Sequence, residues 1–373
     1  MAHSYTPGLR VSRFAKIVKE RRLPLKGEVT VKIGDIVSAK QIVAQTDLPG
    51  NVHPLNCAGQ LGIVPADIES VLQVKPGQDI TKGQTIAVST SFFGLFKSKV
   101  ESPITGTLEG ASPITGQLIL REPPIPVEVS AYIDGKVTVI FENEGVEIES
   151  QGVFIQGIFG VGGERYGKIK IAVKSADEIL TKDHIKEDYK GCVIIGGSRL
   201  KIEAYHRAAE VGAVAIVVGG MHNRNLKALL GYEQGVAITG HEDLKTTLIL
   251  TEGFGEIAMA HRTFELLSKH EGKSASVSGA TQIRAGVIRP EVIIPIEKTD
   301  ELADSKGEVK GLEMGDTLRV IRNPYFGAIG KLTALPPELQ ELETGAKVRV
   351  LELDLGDGKR AVLPRANVEI IEE

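Results

Sequence analysis

Apolar and polar positions in the first third of the chain follow one short unit that is written twice. Val31-Lys-Ile-Gly-Asp-Ile-Val-Ser-Ala-Lys-Gln-Ile-Val-Ala44 and Val74-Lys-Pro-Gly-Gln-Asp-Ile-Thr-Lys-Gly-Gln-Thr-Ile-Ala87 share the pattern V-K-x-G-x-x-[VI]-[ST]-x-x-Q-x-[VI]-A. Gly34 and Gly77 stand where a turn needs a positive φ. An apolar residue to be buried follows, then a second turn, then a Gln leading into another strand. Ser102-Pro-Ile-Thr-Gly106 and Ser112-Pro-Ile-Thr-Gly116 form a second repeat, each copy predicting a proline turn and then a strand. The proline-rich run Arg121 to Val127 predicts an extended connector. Val129 to Val139 and Gly145 to Ser150 continue the alternation of strand and turn.

The rhythm changes after Gly167. Lys168–Val173, Cys192–Ile195, Ala213–Val218 and Thr247–Leu250 read as strands. A helix from near Ser198 carries Ile202, Tyr205 and Ala209 on one face and stops at Gly212. A shorter one carries Leu226, Leu229 and Leu230 and closes at Gly231. A last one carries Ile257, Ala260, Phe264 and Leu267 and ends near Gly272. Strand–helix–strand spacing of this kind predicts right-handed parallel crossovers. Ile158–Glu164 is Gly-rich but fits neither phosphate-binding glycine pattern and reads as a junction. The β-branched run from Thr281 to Ile296 reads as strand returning to the N-terminal β unit.

Composition narrows the function classes. A chain of 373 residues is too long for one ordinary core. With 42 Gly, 17 Pro and no Trp, many tight turns and short strands are expected. The net charge of -4 gives no general attraction for nucleic acid. Cys57 and Cys192 form no C-x-x-C pair, which argues against a disulfide scaffold, a zinc site or an iron–sulfur site. Cys192, inside an apolar strand, reads as an inert buried thiol. The polar, basic stretch from Met1 to Arg22 lacks the apolar core of a signal peptide, and Ala213–Val218 is far too short to span a bilayer. The cytoplasm is the expected location.

Three resemblances follow from these motifs. The repeats over residues 24–150 resemble the barrel-sandwich hybrid of biotinyl and lipoyl carrier domains, in the version found in C-type subunits of Rnf electron-transport complexes. In a carrier, the acceptor lysine sits about eight residues before the S-P turn. Counting back from Pro103, that place holds Leu95, with Lys97 and Lys99 off register, so no covalent cofactor is expected. The tip instead reads Ser91-Phe-Phe-Gly-Leu-Phe-Lys97, and Phe92, Phe93, Leu95 and Phe96 are candidate partner contacts or packing against the chain itself. The run from Lys190 to Gly220 resembles protease-associated or swivelling α/β domains, which are mostly non-catalytic lids and binding modules. Gly315-Asp-Thr-Leu-Arg-Val-Ile-Arg-Asn-Pro-Tyr-Phe-Gly-Ala-Ile-Gly-Lys-Leu332 resembles the KOW motif of transcription elongation factors and ribosomal proteins. That resemblance implies a small barrel contacting protein or RNA through Arg319, Arg322, Tyr325, Phe326 and Lys331. From Lys306 to Glu373 ten Lys/Arg meet twelve Asp/Glu, a balance of -2, which favours a protein surface over naked nucleic acid.

The fold class expected is multi-domain α+β and β-rich. It comprises a barrel-sandwich-hybrid-like β domain at 1–165, an α/β insertion at 166–275, returning strands at 276–303 and a KOW barrel at 304–373. Ligand sites in α/β sheets lie beyond the strand carboxyl ends, here Gly196, Gly197, Ser198, Gly219, Gly220 and His222. These residues form either an anion cradle or a tight turn. His241, Glu242 and Asp243 diverge from one another in one loop, so no metal site and no catalytic residue are assigned. The function expected is a non-catalytic adaptor that meets a protein partner, with RNA or a ribonucleoprotein as the other partner class. A ligand-binding or enzymatic α/β domain, or a non-carrier subunit of an electron-transfer or carboxylase-like complex, stays open.

Overall fold

The two copies of the N-terminal repeat fold alike. In the computed structural model Gly34 and Gly77 take φ of 96° and 85°. In each copy the residue after the first valine donates its backbone N–H to a side chain three residues on, Lys32 to Asp35 (2.9 Å) and Lys75 to Gln78 (3.1 Å). The shared Gln closes the second turn, Gln41 accepting from Ser38 N (3.4 Å) and Gln84 from Thr81 N (2.9 Å). The apolar positions are buried in both, Val31, Val37 and Val43 in one and Val74, Ile80 and Ile86 in the other. The structure describes residues 9–91, 96–231, 239–240, 242–282, 288–296, 312–320, 325, 328–341, 347–356 and 358–370.

The copies nevertheless build different cores. The first copy lies among β1 (Val11–Arg22), β2 (Glu28–Val29), β3 (Ile36–Val37) and β4 (Ile42–Leu48). The second lies among β5 (Val52–Asn56), the short helix α1 (Cys57–Leu61), β6 (Asp79–Ile80), β7 (Thr85–Ser91), β8 (Phe96–Glu101), β9 (Gly106–Ala111) and β10 (Gln117–Arg121). Ile68, Val74, Ile80, Ile86, Leu108 and Leu118 pack into a cluster drawn only from this second stretch. β11 (Ile125–Ser130) then returns to pair with β4, so the second unit hangs between two adjacent strands of the first. At the neck a Cβ on Gly50 would lie 2.0 Å from the Glu122 carbonyl, so only glycine permits the approach. Glu122 donates its N–H to Asn51 O (2.9 Å), and its carboxylate accepts from Asn51 Nδ2 (2.8 Å) and His53 Nε2 (2.9 Å). These contacts hold the Glu122 carboxyl below its ordinary pKa, with Asn51 the larger cause.

One sheet then runs without a break across the position of the expected 165/166 boundary. Its further members are β12 (Gly135–Phe141), β13 (Gly145–Gln156), β14 (Phe159–Val161), β15 (Glu164–Ile171), β16 (Cys192–Ile195), β17 (Ala215–Met221), β18 (Thr247–Phe254), β19 (Ser274–Ser278) and β20 (Glu291–Pro295). The order is β14-β18-β17-β16-β15-β19-β20-β13-β12-β3, with β1 on β13. β15 through β18 are parallel, and the remaining pairs are antiparallel. The helices α2 (Ile202–Val211) and α3 (Asn223–Leu230) connect strands of the parallel part, and α4 (His261–Lys269) leads from it to β19. β16 and β17 are buried along their whole length, as strands covered on both faces must be.

Polar contacts tie β1 to this sheet. Lys19 Nζ lies 2.6 Å from Glu291, and Tyr132 donates its hydroxyl to the same carboxylate at 3.1 Å. Arg21 makes two 2.7 Å bonds to Glu164. Tyr132 sits at φ 68°, a conformation costly for a bulky residue, and Ser276 holds its carbonyl. Burial, followed by the nearby Glu291 charge, pushes the Tyr132 phenol well above its ordinary pKa.

The C-terminal unit comprises β21 (Thr317–Val320), β22 (Ile329–Ala334), β23 (Leu339–Glu341), β24 (Lys347–Asp354), β25 (Arg360–Pro364) and β26 (Val368–Ile370). They form a six-stranded sheet curled around Leu318, Val320, Leu332, Leu351, Leu353 and Val368.

Three elements depart from the sequence reading. The helix expected from Ser198 starts at Ile202, with Lys201 as its N-cap, because Arg199 and Leu200 first bridge to Gly220 and Leu180. The last helix starts at His261, because the Ile257–Met259 backbone packs against Gly219 and the Glu252 carboxylate takes the Ala260 N–H at 3.1 Å. The Gly-rich junction is an edge strand, β14, paired to β18.

Candidate functional site

The carboxyl ends of β16, β17 and β18 bring together Gly196-Gly197, which follows β16, and Gly219-Gly220, within the last residues of β17. Gly196 N–H donates to Val217 O at 2.9 Å and extends the parallel ladder. Ser198 N–H donates to Glu178 O (2.9 Å) and its hydroxyl to Asp177 O (2.7 Å). Gly219 N–H donates to Gly197 O (2.8 Å) and Gly220 N–H to Ser198 O (2.6 Å). Four amides that an anion cradle would use therefore already have backbone acceptors. The missing side chains leave no opening either. A Cβ on Gly197 would meet Glu178 O at 2.4 Å and Ser175 O at 2.5 Å, and one on Gly219 would meet Ile257 O at 2.4 Å.

Side chains close the rest of the crevice. Arg199 Nη1 donates to His222 Nε2 at 2.8 Å and pairs with Glu256. Deeper, Glu252 accepts the Ala260 N–H with one oxygen and pairs with Arg319 through the other. Arg319 belongs to β21 of the C-terminal sheet, so a side chain of that unit reaches Glu252 near the strand ends.

A second group was not singled out from the sequence. Glu178 Oε1 accepts from His184 Nε2 (3.2 Å), and His184 Nδ1 faces the Thr181 hydroxyl (3.0 Å). The order carboxylate, imidazole, hydroxyl is that of a nucleophile relay. Here, however, Nδ1 also accepts the Thr181 backbone N–H at 3.1 Å, which makes the group a capping box for a single helical turn. The Lys174 N–H, donating to Glu178 at 2.7 Å, is the largest cause holding that carboxyl below its usual pKa. The local spacing Thr181-x-x-His184 is the signal that would have found it.

The residues proposed to meet a partner differ in exposure where the structure describes them. Arg319 is 0% exposed and its charge faces Glu252 rather than solvent. Tyr325 is 42% exposed, and Lys331 and Arg349 are exposed on β22 and β24. Arg322 and Phe326 lie outside the described residues, as do Phe92, Phe93 and Leu95. Phe96 opens β8, opposite Ser91 of β7. Elsewhere an open groove of about 900 Å³ is lined by Ile33, Ile36, Lys136, Glu149 and Ile296.

Among the described residues, no group of three His, Cys, Asp or Glu is placed to hold a metal. His241 lies outside them, and Glu242 accepts from Gly162 N (2.9 Å) and Gly240 N (2.8 Å). Burial pushes both thiols, Cys57 and Cys192, above their ordinary pKa. No helix among the described residues is long and apolar enough to cross a membrane.

Fold and site define a multi-domain, β-rich α+β protein with several sheets and few helices. Comparison with known protein families and with curated proteins finds no match in either.

Proposed function

We propose that this chain is a non-catalytic adaptor whose C-terminal barrel, a KOW-type module, docks onto a protein surface of the transcription or translation machinery. One observation carries the reading: the crevice where an α/β sheet would take a ligand is closed by the chain's own backbone and by Arg319, while the barrel turns Tyr325 and Lys331 outward. Exposed aromatic and cationic side chains suit a protein interface, where aromatic anchors contribute most of the affinity. The -2 balance of residues 306–373 weighs against phosphate-backbone binding as the main term. The hybrid-like N-terminal unit acts in this reading as a scaffold, with the β7–β8 hairpin as a second contact.

The test is affinity capture of the tagged full chain from its native host, with and without nuclease, beside the double variant Tyr325→Ala, Lys331→Glu. RNA polymerase or ribosomal proteins should be enriched by the parent and lost with the variant, and nuclease should not abolish the enrichment. Metabolic or membrane redox subunits, with no transcription or translation component, would overturn the reading and favour the electron-transfer alternative.

A further inference from the structure

Four neighbouring strands of the central sheet each place one residue in a single row. β1, β13, β12 and β3 lie side by side, with Val18 opposite Glu149, Glu149 opposite Lys136, and Lys136 opposite Ile36. Their chain neighbours Ile17, Ile148, Val137 and Val37 point to the other face and are buried in the N-terminal core. The row itself is open. Val18 is 42% and Ile36 77% exposed, and Lys136 is exposed as well. Glu149 is half-buried, 2.8 Å from Lys16, and Lys136 makes no ion pair among the described residues. Ile36, Lys136 and Glu149 also line the open groove of about 900 Å³.

The repeat shows that the fold does not need isoleucine on this face. Ile33 and Ile36 correspond to Pro76 and Asp79 of the second copy, whose turn closes in the same way. Single exposed apolar residues are ordinary on a surface. Here two isoleucines and a valine flank a pair of opposite charges beside a groove, which is the composition of a contact surface.

We propose that this face is the interface of a homodimer. The row reads apolar, acidic, basic, apolar, so it complements its own reverse. A twofold axis lying along the strands, between two stacked sheets and midway between β13 and β12, reverses the row. It sets Glu149 against Lys136 of the second copy and Val18 against Ile36 of the second copy, each contact made twice. In the next row Val139 stands opposite Glu147, so the same axis brings a carboxylate over a valine and not over another carboxylate. The strands of the two copies stay aligned, as in sheets that pack face to face about 10 Å apart. A patch of one charge sign would call for a partner of the opposite sign. This row instead carries both signs in the order that a second copy supplies. The dimer does not depend on the docking reading above, which concerns the C-terminal sheet.

The experiment is sedimentation velocity of the full chain from about 1 to 500 µM, a range that reads association of ordinary strength. The parent should pass from one to two chain masses as concentration rises. Ile36→Asp installs what the second repeat copy carries at that place, so it should keep the parent's melting temperature and weaken association. Lys136→Glu and Glu149→Lys should each weaken it by at least about tenfold, because like charges then face each other across the axis. Mixed in equal amounts, these two charge variants should associate again, since each supplies the sign the other has lost, and a misfolded variant could not do so. A parent that stays at one chain mass throughout would overturn the dimer. Dimers left intact by Ile36→Asp or by either charge variant, or charge variants that remain monomeric when mixed, would overturn this interface.

Discussion

Replacing Gly197 by alanine places a Cβ 2.4 Å from Glu178 O, 2.5 Å from Ser175 O and 3.0 Å from Ala176 O. All three atoms belong to one backbone segment, so none can swing aside as a side-chain tip would. Restoring ordinary contact requires that segment to retreat by about 1 Å, and overpacking of this kind costs roughly 1–3 kcal/mol. The retreat also stretches the bonds from Ser198 to Glu178 O and Asp177 O, each worth about 1 kcal/mol. The expected loss is about 3 kcal/mol, or on the order of a hundredfold in the opening equilibrium. Hydrogen exchange of the β16 and β17 amides reads that factor locally, which suits a chain with several cores. Gly34→Ala is the control: nothing lies within 4 Å of its Cβ, and only the positive φ is strained, at about 1 kcal/mol. If Gly197→Ala changed exchange less than Gly34→Ala, or if inorganic phosphate protected these amides in the parent, the packed-turn account of the crevice would be wrong.

Two further outcomes follow from the cores. Leu118→Ala, in the cluster of the unit hung between β4 and β11, should cost about 2–5 kcal/mol. Exchange protection should fall in β9 and β10 and stay unchanged in β17; an equal loss in β17 would show that the two cores are one. Tyr205, buried and donating to Thr246 O at 2.7 Å, has its phenol pushed up to about 12, chiefly by burial. Because the folded value exceeds the unfolded one of about 10, the contribution is complete below pH 10 and is lost as pH rises toward 12. Tyr205→Phe should remove about 3 kcal/mol of alkaline sensitivity between those limits, read by denaturant midpoints against pH, and an unchanged alkaline limb would refute the assignment.

The turns of the repeat were legible in the chain because they are local. Gly34, Gly77, Gln41 and Gln84 act on residues three positions away, and a pattern of that range is written in the sequence itself. Gly212 and Gly231 were legible as helix stops for the same reason, each taking the left-handed conformation at the C-cap. The start of α2 was not, because Leu200 is drawn out of the helix by pairing with Leu180 and Gly220, partners about twenty residues away. The sequence likewise offered one repeat written twice without saying that each copy would build its own core. That outcome depends on Gly50 passing against Glu122, a contact between distant residues.

The crevice shows the same division at the level of chemistry. From the chain alone, Gly196-Gly197-Ser198 and Gly219-Gly220 suit a cradle and a packed turn equally, since both need residues without side chains. Only tertiary structure supplies the carbonyls of Ser175, Glu178 and Ile257 that fill the space. Arg319 reads in sequence as a strand cation offered to solvent. In the structure it is buried and paired with Glu252, whose position near the carboxyl end of β18 and beside the first turn of α4 no local pattern encodes. Periodicity and turn chemistry thus determined which segments are strands and where they bend. Which charges meet, and which openings close, was decided by contacts between distant residues, because burial and pairing are properties of the packed chain.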